Sequence, residues 1–136
     1  MTSTRDTTAA TPSTEPIEAG RALEAAWQAE RHAATIARRT GDATDEWRHL
    51  ERAHILSQPL AGLHLRTHGA MLAASVRRRD GRETAGQLLR LILAVPGSVS
   101  GRYPIGNTGG ADVSAFAPMT IPDDLQPLLP DTVEAS

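Results

Sequence analysis

The chain has 136 residues and no cysteine, which predicts one domain and excludes disulfides, thiolate nucleophiles and thiolate metal ligands. All 14 basic residues are arginine, so a Walker-type phosphate lysine and a Schiff-base lysine are also excluded. The net charge of −2 creates no field that would attract nucleic acid or an anionic membrane, and the aromatic content of 3% favours closely packed helices of alanine and leucine.

The first 15 residues are rich in threonine, serine and alanine, and this composition predicts a disordered arm over residues 1–15. The arm lacks the apolar stretch of a secretory signal, and no part of the chain approaches the roughly 18 apolar residues of a membrane span. We therefore expect a cytoplasmic protein with no membrane and no nucleic-acid partner.

A helical domain is predicted over residues 16–96, because apolar residues recur there at helical spacing. Its four predicted helices cover residues 16–39, 43–58, 59–79 and 81–95. Gly41 suits the end of the first helix, and Asp42 or Thr44 suits the N-cap of the second. Asp80, followed three residues later by Glu83, resembles a capping box at the start of the fourth helix.

The fourth helix is expected to end at Pro96 and Gly97, since proline and glycine both interrupt helices. Its predicted packing face is the apolar one, formed by Ala85, Leu88, Leu91, Ile92 and Val95.

Short turns between the helices predict antiparallel neighbours, so the expected fold is all-α, with four antiparallel helices in two α-hairpins. The stretches ARRTGDATDEWRHL and VRRRDGRETAGQLL begin 39 residues apart, at Ala37 and Val76. This distance is similar to the roughly 34-residue repeat of tetratricopeptide hairpins. Two unrelated hairpins in series would show the same pattern, so a closed bundle and a stacked hairpin array both stay open.

Four of the five histidines lie between residues 49 and 68. At about 100° per residue, His54 leans into the apolar face of the second helix beside Glu51, whereas His49 points away and is expected to be solvated. His64 and His68 are one turn apart on the third helix, a spacing that offers two imidazoles to one metal ion.

The tight turn between the second and third helices is expected to bring His54 close to His64 and His68. Three imidazoles with Glu51 predict a site for one divalent transition metal, such as zinc, iron, manganese or copper. Glu51 would be a fourth ligand or a catalytic base beside the metal. The alternative is a structural network in which the histidines bond to carboxylates or carbonyls. No nucleotide cofactor is expected.

Residues 97–130 are rich in glycine and proline but also contain large apolar side chains, so they predict an ordered strap that packs on the helices, before a disordered tail over residues 131–136. The segment GNTGG within the strap lacks the Walker spacing and a preceding strand, which argues against a nucleotide loop. Asn107, Thr108 and Asp112 are therefore candidates for a lid over the histidines, and Arg102 is a candidate contact for a small anion. The later segment IPDDLQPLL is expected to add a short helix.

Four segments of the chain carry a family resemblance: HLERAHILSQ, HLRTHGAML, RRRDGRETAGQLLRLILAVPGS and GRYPIGNTGGADVSAFAPMTIPDDL. They resemble a small bacterial family of uncharacterised proteins, domain-of-unknown-function family 3703. The resemblance extends from about Arg21 to Leu125. It implies that these segments form one domain, and it implies no activity.

Three kinds of function are compatible with these patterns. The first is a metal-binding protein or small metalloenzyme built on His54, His64 and His68. The second is a non-enzymatic, tetratricopeptide-like adaptor that binds a partner protein and uses the histidines as a structural network. The third is an accessory protein that binds a small anion through arginine and the glycine-rich loop. The partner is accordingly a small molecule or another protein.

Overall fold

The computed structural model describes residues 15–100, 107–112 and 119–130, and for residues 93–100 it describes the backbone alone. The helices are α1 (Glu15–Thr40), α2 (Ala43–Ser57), α3 (Ala61–Arg77) and α4 (Gly81–Ser100), followed by a 3-10 helix (Gln126–Leu128). No strand occurs in these ranges. The α1–α2 and α3–α4 hairpins pack together mainly through α2 and α3, so the predicted all-α fold is confirmed.

The helix ends follow the local chemistry of the turns. Gly41 has a φ of +80°, the left-handed conformation that ends α1, and the Asp42 carboxylate then accepts the backbone N–H of Asp45 at 2.9 Å. At the start of α4, the Asp80 carboxylate accepts the backbone N–H of Glu83 at 2.9 Å. Both predicted caps therefore form.

Two predicted helix boundaries are wrong. Pro59 lies in the turn before α3, because Leu60 is extended and serves as the N-cap residue. At the other boundary, α4 continues through Pro96 and Gly97 to Ser100. A proline removes one backbone hydrogen bond and its ring crowds the carbonyl four residues earlier, but the chain can keep a helical path beyond it at that cost.

Two apolar clusters form the core of the described structure. One contains Leu23, Trp27, Ala53, Ile55, Leu56 and Leu125. The other contains Ala34, Leu50, Met71 and Ala74. A buried hydrogen bond of 2.9 Å from the Trp27 indole to the Thr67 hydroxyl ties α1 to α3 and satisfies the indole N–H.

An ionic network holds α1, α2 and the C-terminal segment together. The Glu30 carboxylate accepts from His49 Nδ1 at 2.6 Å and from Arg52 Nε at 2.7 Å, and Arg52 also pairs with Asp124. Only 16% of the His49 side chain is exposed, so the prediction of a solvated histidine is wrong. The reason is that α2 packs on α1 with one side and on α3 with another, so that few of its faces are free.

The buried face of α4 differs from the predicted one. Leu88 is 53% exposed and Ile92 is 66% exposed, while Gln87 is fully buried. Ala85 is exposed as well, so the predicted apolar packing face is wrong for these three residues. Burying Gln87 is tolerable because each polar group of its side chain is hydrogen-bonded, as described below.

The described parts of the C-terminal strap lie against the helices. Residues 107–112 contact α2 and α4, and Leu125 is 3% exposed within the first apolar cluster. The short 3-10 helix occurs where a terminal helix was expected. Glu15 of the predicted disordered arm begins α1, and the rest of the predicted disordered ends and the candidate anion contact Arg102 lie outside the described residues. Among the described helices, none combines the length and apolarity needed to cross a membrane.

Candidate metal centre

The α2–α3 hairpin places three histidines at one level. His54 lies three residues before the end of α2, and His64 lies three residues after the start of α3, so the tight turn sets them side by side. His68 follows one helical turn later on the same face. The ring centroids form a nearly equilateral triangle with sides of 4.6, 4.7 and 4.7 Å. One ring nitrogen from each histidine lies within 4.8 Å of the other two.

The hydrogen-bond partner of His54 defines its tautomer. Its Nδ1 lies 2.7 Å from the backbone carbonyl oxygen of Asn107, in the strap. A carbonyl oxygen can only accept a hydrogen bond, so Nδ1 carries the proton and donates it. In the neutral ring, Nε2 therefore presents a lone pair to the centre of the cluster.

The tautomer of His68 is defined in the same way by Gln87. Two acceptors flank the Gln87 amide nitrogen, the Glu83 carboxylate at 2.7 Å and the Gly109 carbonyl at 2.6 Å. The amide oxygen must then face His68 Nδ1, which lies 2.9 Å away and donates to it. The Nε2 of His68 is left with a lone pair and lies 3.2 Å from His54 Nε2.

His64 has a weaker partner of the same kind. The Ser57 hydroxyl donates to the backbone carbonyl of His54 at 2.8 Å, so its oxygen is free to accept from His64 Nδ1 at 3.4 Å. Each of the three Nδ1 atoms thus faces its own acceptor outside the cluster. Metal-ligating histidines use their second nitrogen in this way, which fixes the ring orientation and the tautomer.

Burial favours the neutral form of all three rings. His54 is 3% exposed, and burial lowers its pKa well below 6.5, with further lowering by the neighbouring His64 and His68. Burial and the charge of His68 lower the pKa of His64 to about 4. Burial also lowers the pKa of His68, against the effect of its bond to Gln87. Unprotonated nitrogens are the form that binds a metal.

Glu51 lies three residues before His54 on α2, but its carboxylate is not one of the mutually close ligand atoms found in the described part of the chain. Its Oε1 accepts the Trp47 indole N–H at 3.0 Å. Burial raises the pKa of Glu51, and the negative charges of Asp112 and Glu83 act in the same direction, although the Trp47 bond opposes them. Trp47 thus occupies one of the two carboxylate oxygens of Glu51.

The predicted lid residues are divided between the site and the surface. Asn107 is 1% exposed, and its side-chain oxygen accepts the backbone N–H of Gly109 at 2.9 Å while its own carbonyl binds His54. Thr108 is half-buried and Asp112 is exposed. The described part of the strap contacts His54 through backbone groups of residues 107 and 109. The contact therefore depends on the conformation of the backbone more than on the side chains of the predicted lid residues.

Two glycines allow the strap to approach this closely. Gly109 has a φ of +82°, and a Cβ there would lie 2.8–2.9 Å from ring atoms of His54. A Cβ on Gly86 of α4 would lie 2.5 Å from the Cβ of Ala111. The backbone of the strap therefore packs directly on the imidazole of His54 and on the surface of α4.

Gln87 and Glu83 are the site residues that the sequence patterns did not reveal. Glu83 has the position of the capping-box acid, yet its carboxylate accepts from the Ala111 backbone N–H at 2.8 Å and from Gln87. Their spacing of four residues places both on one face of α4. That spacing could have indicated a polar buried face, but the neighbouring face of the helix is more apolar and was therefore predicted to be the buried one.

The metal-free protein is expected to lose stability as the pH falls from about 6.5 toward 4. The folded pKa of His64 is about 4, below its usual value of 6.5, so the unfolded chain binds more protons across this window. Stability is therefore fully present above pH 6.5 and falls by on the order of 1–2 kcal/mol between pH 7 and pH 5 from this group. Urea unfolding with a chelator at both pH values measures the change, and the His64→Gln variant should show a smaller one. Equal stability of the native sequence at pH 7 and pH 5 would contradict the expectation.

The fold and the site together define a small all-α protein in which three buried or partly buried histidines lie together, and the described part of a glycine-rich strap packs on His54. Residues 21–129 match the sequence profile of a family described as "Protein of unknown function (DUF3703)". This match covers most of the chain, so the chain belongs to that family. Neither the curated proteins nor the solved structures contain a significant match.

Proposed function

We propose that this protein binds one divalent transition-metal ion through the Nε2 atoms of His54, His64 and His68. The observation that carries the proposal is the 3.2 Å approach of the Nε2 atoms of His54 and His68, because both Nδ1 atoms are already committed as donors. Without a cation between them, two neutral rings would point lone pairs at each other.

A proton is a poor way to relieve this repulsion. Protonating one ring would place an imidazolium ion in a buried site, and burial lowers the pKa of His54 and of His68. A metal ion removes the repulsion by bonding to both lone pairs at once. Zinc binds imidazole nitrogens at about 2.0–2.1 Å with tetrahedral angles, which separates two ligand nitrogens by about 3.3 Å. The 3.2 Å separation is close to that value.

The chemistry of the donors narrows the choice of ion. The site offers three imidazoles and no thiolate, since the chain has no cysteine. Imidazole suits zinc, copper, iron and nickel, whereas magnesium and calcium prefer oxygen. Zinc fits the tetrahedral nitrogen spacing best among the zinc, iron, manganese and copper ions expected from the sequence.

Three protein ligands leave a coordination position for water or a small ligand, as in catalytic zinc sites. Glu51 precedes His54 by about one helical turn on α2, and its pKa is raised, the direction expected of a group that exchanges protons with metal-bound water. The proposal is thus a metal-binding protein with the elements of a small hydrolytic site, and Glu51 is its candidate base.

The proposal is tested by metal content and metal titration of protein purified without a histidine tag. We expect close to one equivalent of metal by elemental analysis, and visible d–d bands typical of tetrahedral nitrogen coordination after Co²⁺ replaces it. The His64→Ala variant should bind Zn²⁺ more weakly by over 100-fold, because loss of an outer-shell partner alone costs about 10–100-fold.

The matched control is His32→Ala, since His32 is exposed on α1 and lies outside the cluster. Its Zn²⁺ affinity should equal that of the native sequence. Two results would overturn the proposal: metal far below one equivalent with no thermal shift on adding Zn²⁺, Fe²⁺, Mn²⁺ or Cu²⁺, or a His64→Ala variant that retains native affinity. The histidines would then be a structural network.

A further inference from the structure

A second polar cavity lies among α1, α2 and α3, away from the histidines. It has a volume of about 130 Å³, and its polar and charged lining includes Arg31, Thr35, Arg38, Glu46 and Arg77. Ligand pockets for drug-sized molecules measure about 300–1,000 Å³, so this cavity suits only a compact ligand.

The cavity is distinct from the candidate metal centre. Its α2 residue Glu46 lies eight residues before His54, which is about 12 Å along the helix axis. Leu50 lines the cavity and belongs to the apolar cluster with Met71 and Ala74. A ligand in the cavity would therefore not touch the histidines.

The charges in the lining do not balance. Arg77 Nη2 lies 2.5 Å from the Glu46 carboxylate, so these two lining residues neutralise each other's charge. Three guanidinium groups against one carboxylate leave two positive charges, on Arg31 and Arg38. Within the described part of the chain, neither side chain has a salt bridge or a hydrogen bond.

Arg31 is the more constrained of the two. Its guanidinium is partly buried beside the Trp27 ring, 6.0 Å from the ring centroid. Burial lowers its pKa, and the positive charges of Arg66 and Arg38 lower it further against the weaker attraction of Glu46. The positive charges of neighbouring arginines thus repel the partly buried guanidinium of Arg31, and a bound anion would offset this repulsion.

We propose that this cavity binds a small doubly charged oxyanion of the phosphate or sulfate class between Arg31 and Arg38. The planar donor fork of arginine matches two oxygens of such an anion, and its charge would balance the two positive charges of the lining. The size of the cavity favours a free tetrahedral anion over a nucleotide or sugar phosphate. The proposal does not depend on the metal centre.

The test is calorimetric titration of the chelator-treated protein with inorganic phosphate and with sulfate, at ionic strength held constant with NaCl. We expect saturable binding of one anion per chain. Arg31→Gln and Arg38→Gln should each weaken it about tenfold or more, since a hydrogen bond to a charged group contributes about 1.5–3 kcal/mol. Arg38 is exposed, so the second variant keeps the test valid even if Arg31→Gln destabilises the fold.

The matched control is Arg39→Gln, which removes the same charge from an exposed neighbour that does not line the cavity. Its phosphate affinity should be unchanged. The proposal is overturned if neither anion binds saturably at constant ionic strength. It is equally overturned if Arg39→Gln weakens binding as much as Arg38→Gln, because the effect would then be general charge screening. Preference for sulfate or for phosphate decides which member of the class the cavity selects.

Discussion

Replacing Gly109 with alanine should destabilise the protein by about 3 kcal/mol or more and weaken Zn²⁺ binding. Two costs combine at this position. The φ of +82° is strained for any residue with a Cβ, which alone costs on the order of 1–2 kcal/mol. The added methyl group would also lie 2.8–2.9 Å from ring atoms of His54, so the strap or the imidazole must move.

Gly41 provides the matched control for this substitution. It has nearly the same φ, +80°, and a Cβ there would meet nothing within 4 Å. Gly41→Ala should therefore show the cost of backbone strain alone and should leave Zn²⁺ affinity unchanged. Urea unfolding of both variants, with and without Zn²⁺, measures the difference. If the two variants are equally destabilised and equally competent to bind Zn²⁺, the strap does not press on His54 as described.

Replacing Gln87 with leucine should cost about 3–5 kcal/mol of folding free energy, because the substitution leaves several buried polar groups without partners. The affected groups are the His68 Nδ1 proton, the Gly109 carbonyl and one bond of the Glu83 carboxylate. Leucine matches glutamine roughly in volume, so the loss would reflect hydrogen bonding rather than a cavity.

The same variant separates a positioning role from a purely structural one. Without the Gln87 oxygen, His68 can place its proton on either ring nitrogen, and Zn²⁺ affinity should fall by about 10–100-fold. The comparison is Gln28→Leu, since Gln28 is exposed and bonds only to Glu24 in the described structure; its stability should stay within about 0.5 kcal/mol of the native value. Affinity should be measured at a temperature where the Gln87→Leu variant is folded. Native Zn²⁺ affinity in a folded Gln87→Leu protein would show that Gln87 does not set the tautomer of His68.

The helical architecture could be predicted because its signals are local. Gly41, Asp42 and Asp80 act on the adjacent backbone, so the turns between helices are recognisable in the sequence. The convergence of His54, His64 and His68 also follows from local geometry, namely one tight turn and a spacing of four residues. The family assignment rests on these same helices together with the strap.

The face of α4 that is buried depends on contacts that are distant in sequence. Periodicity favours Leu88 and Ile92 as the core face, but the structure buries Gln87, because α3 and the strap supply partners for its amide group. A polar side chain is buried at low cost only where such partners exist, and these lie 19 and 22 residues away in the chain.

By itself, the sequence determined the number of helices, their hairpin order and the histidine trio, since each depends on residues within a few turns of one another. Only the tertiary structure decided which nitrogen of His54 and of His68 faces inward, because the Asn107 carbonyl and the Gln87 amide reach these rings from other parts of the chain. The arginine-lined cavity likewise appears only after α1, α2 and α3 come together. The tautomer of a histidine and the net charge of a cavity depend on which residues lie nearby in space, and the pattern of residues along the sequence does not reveal those neighbours.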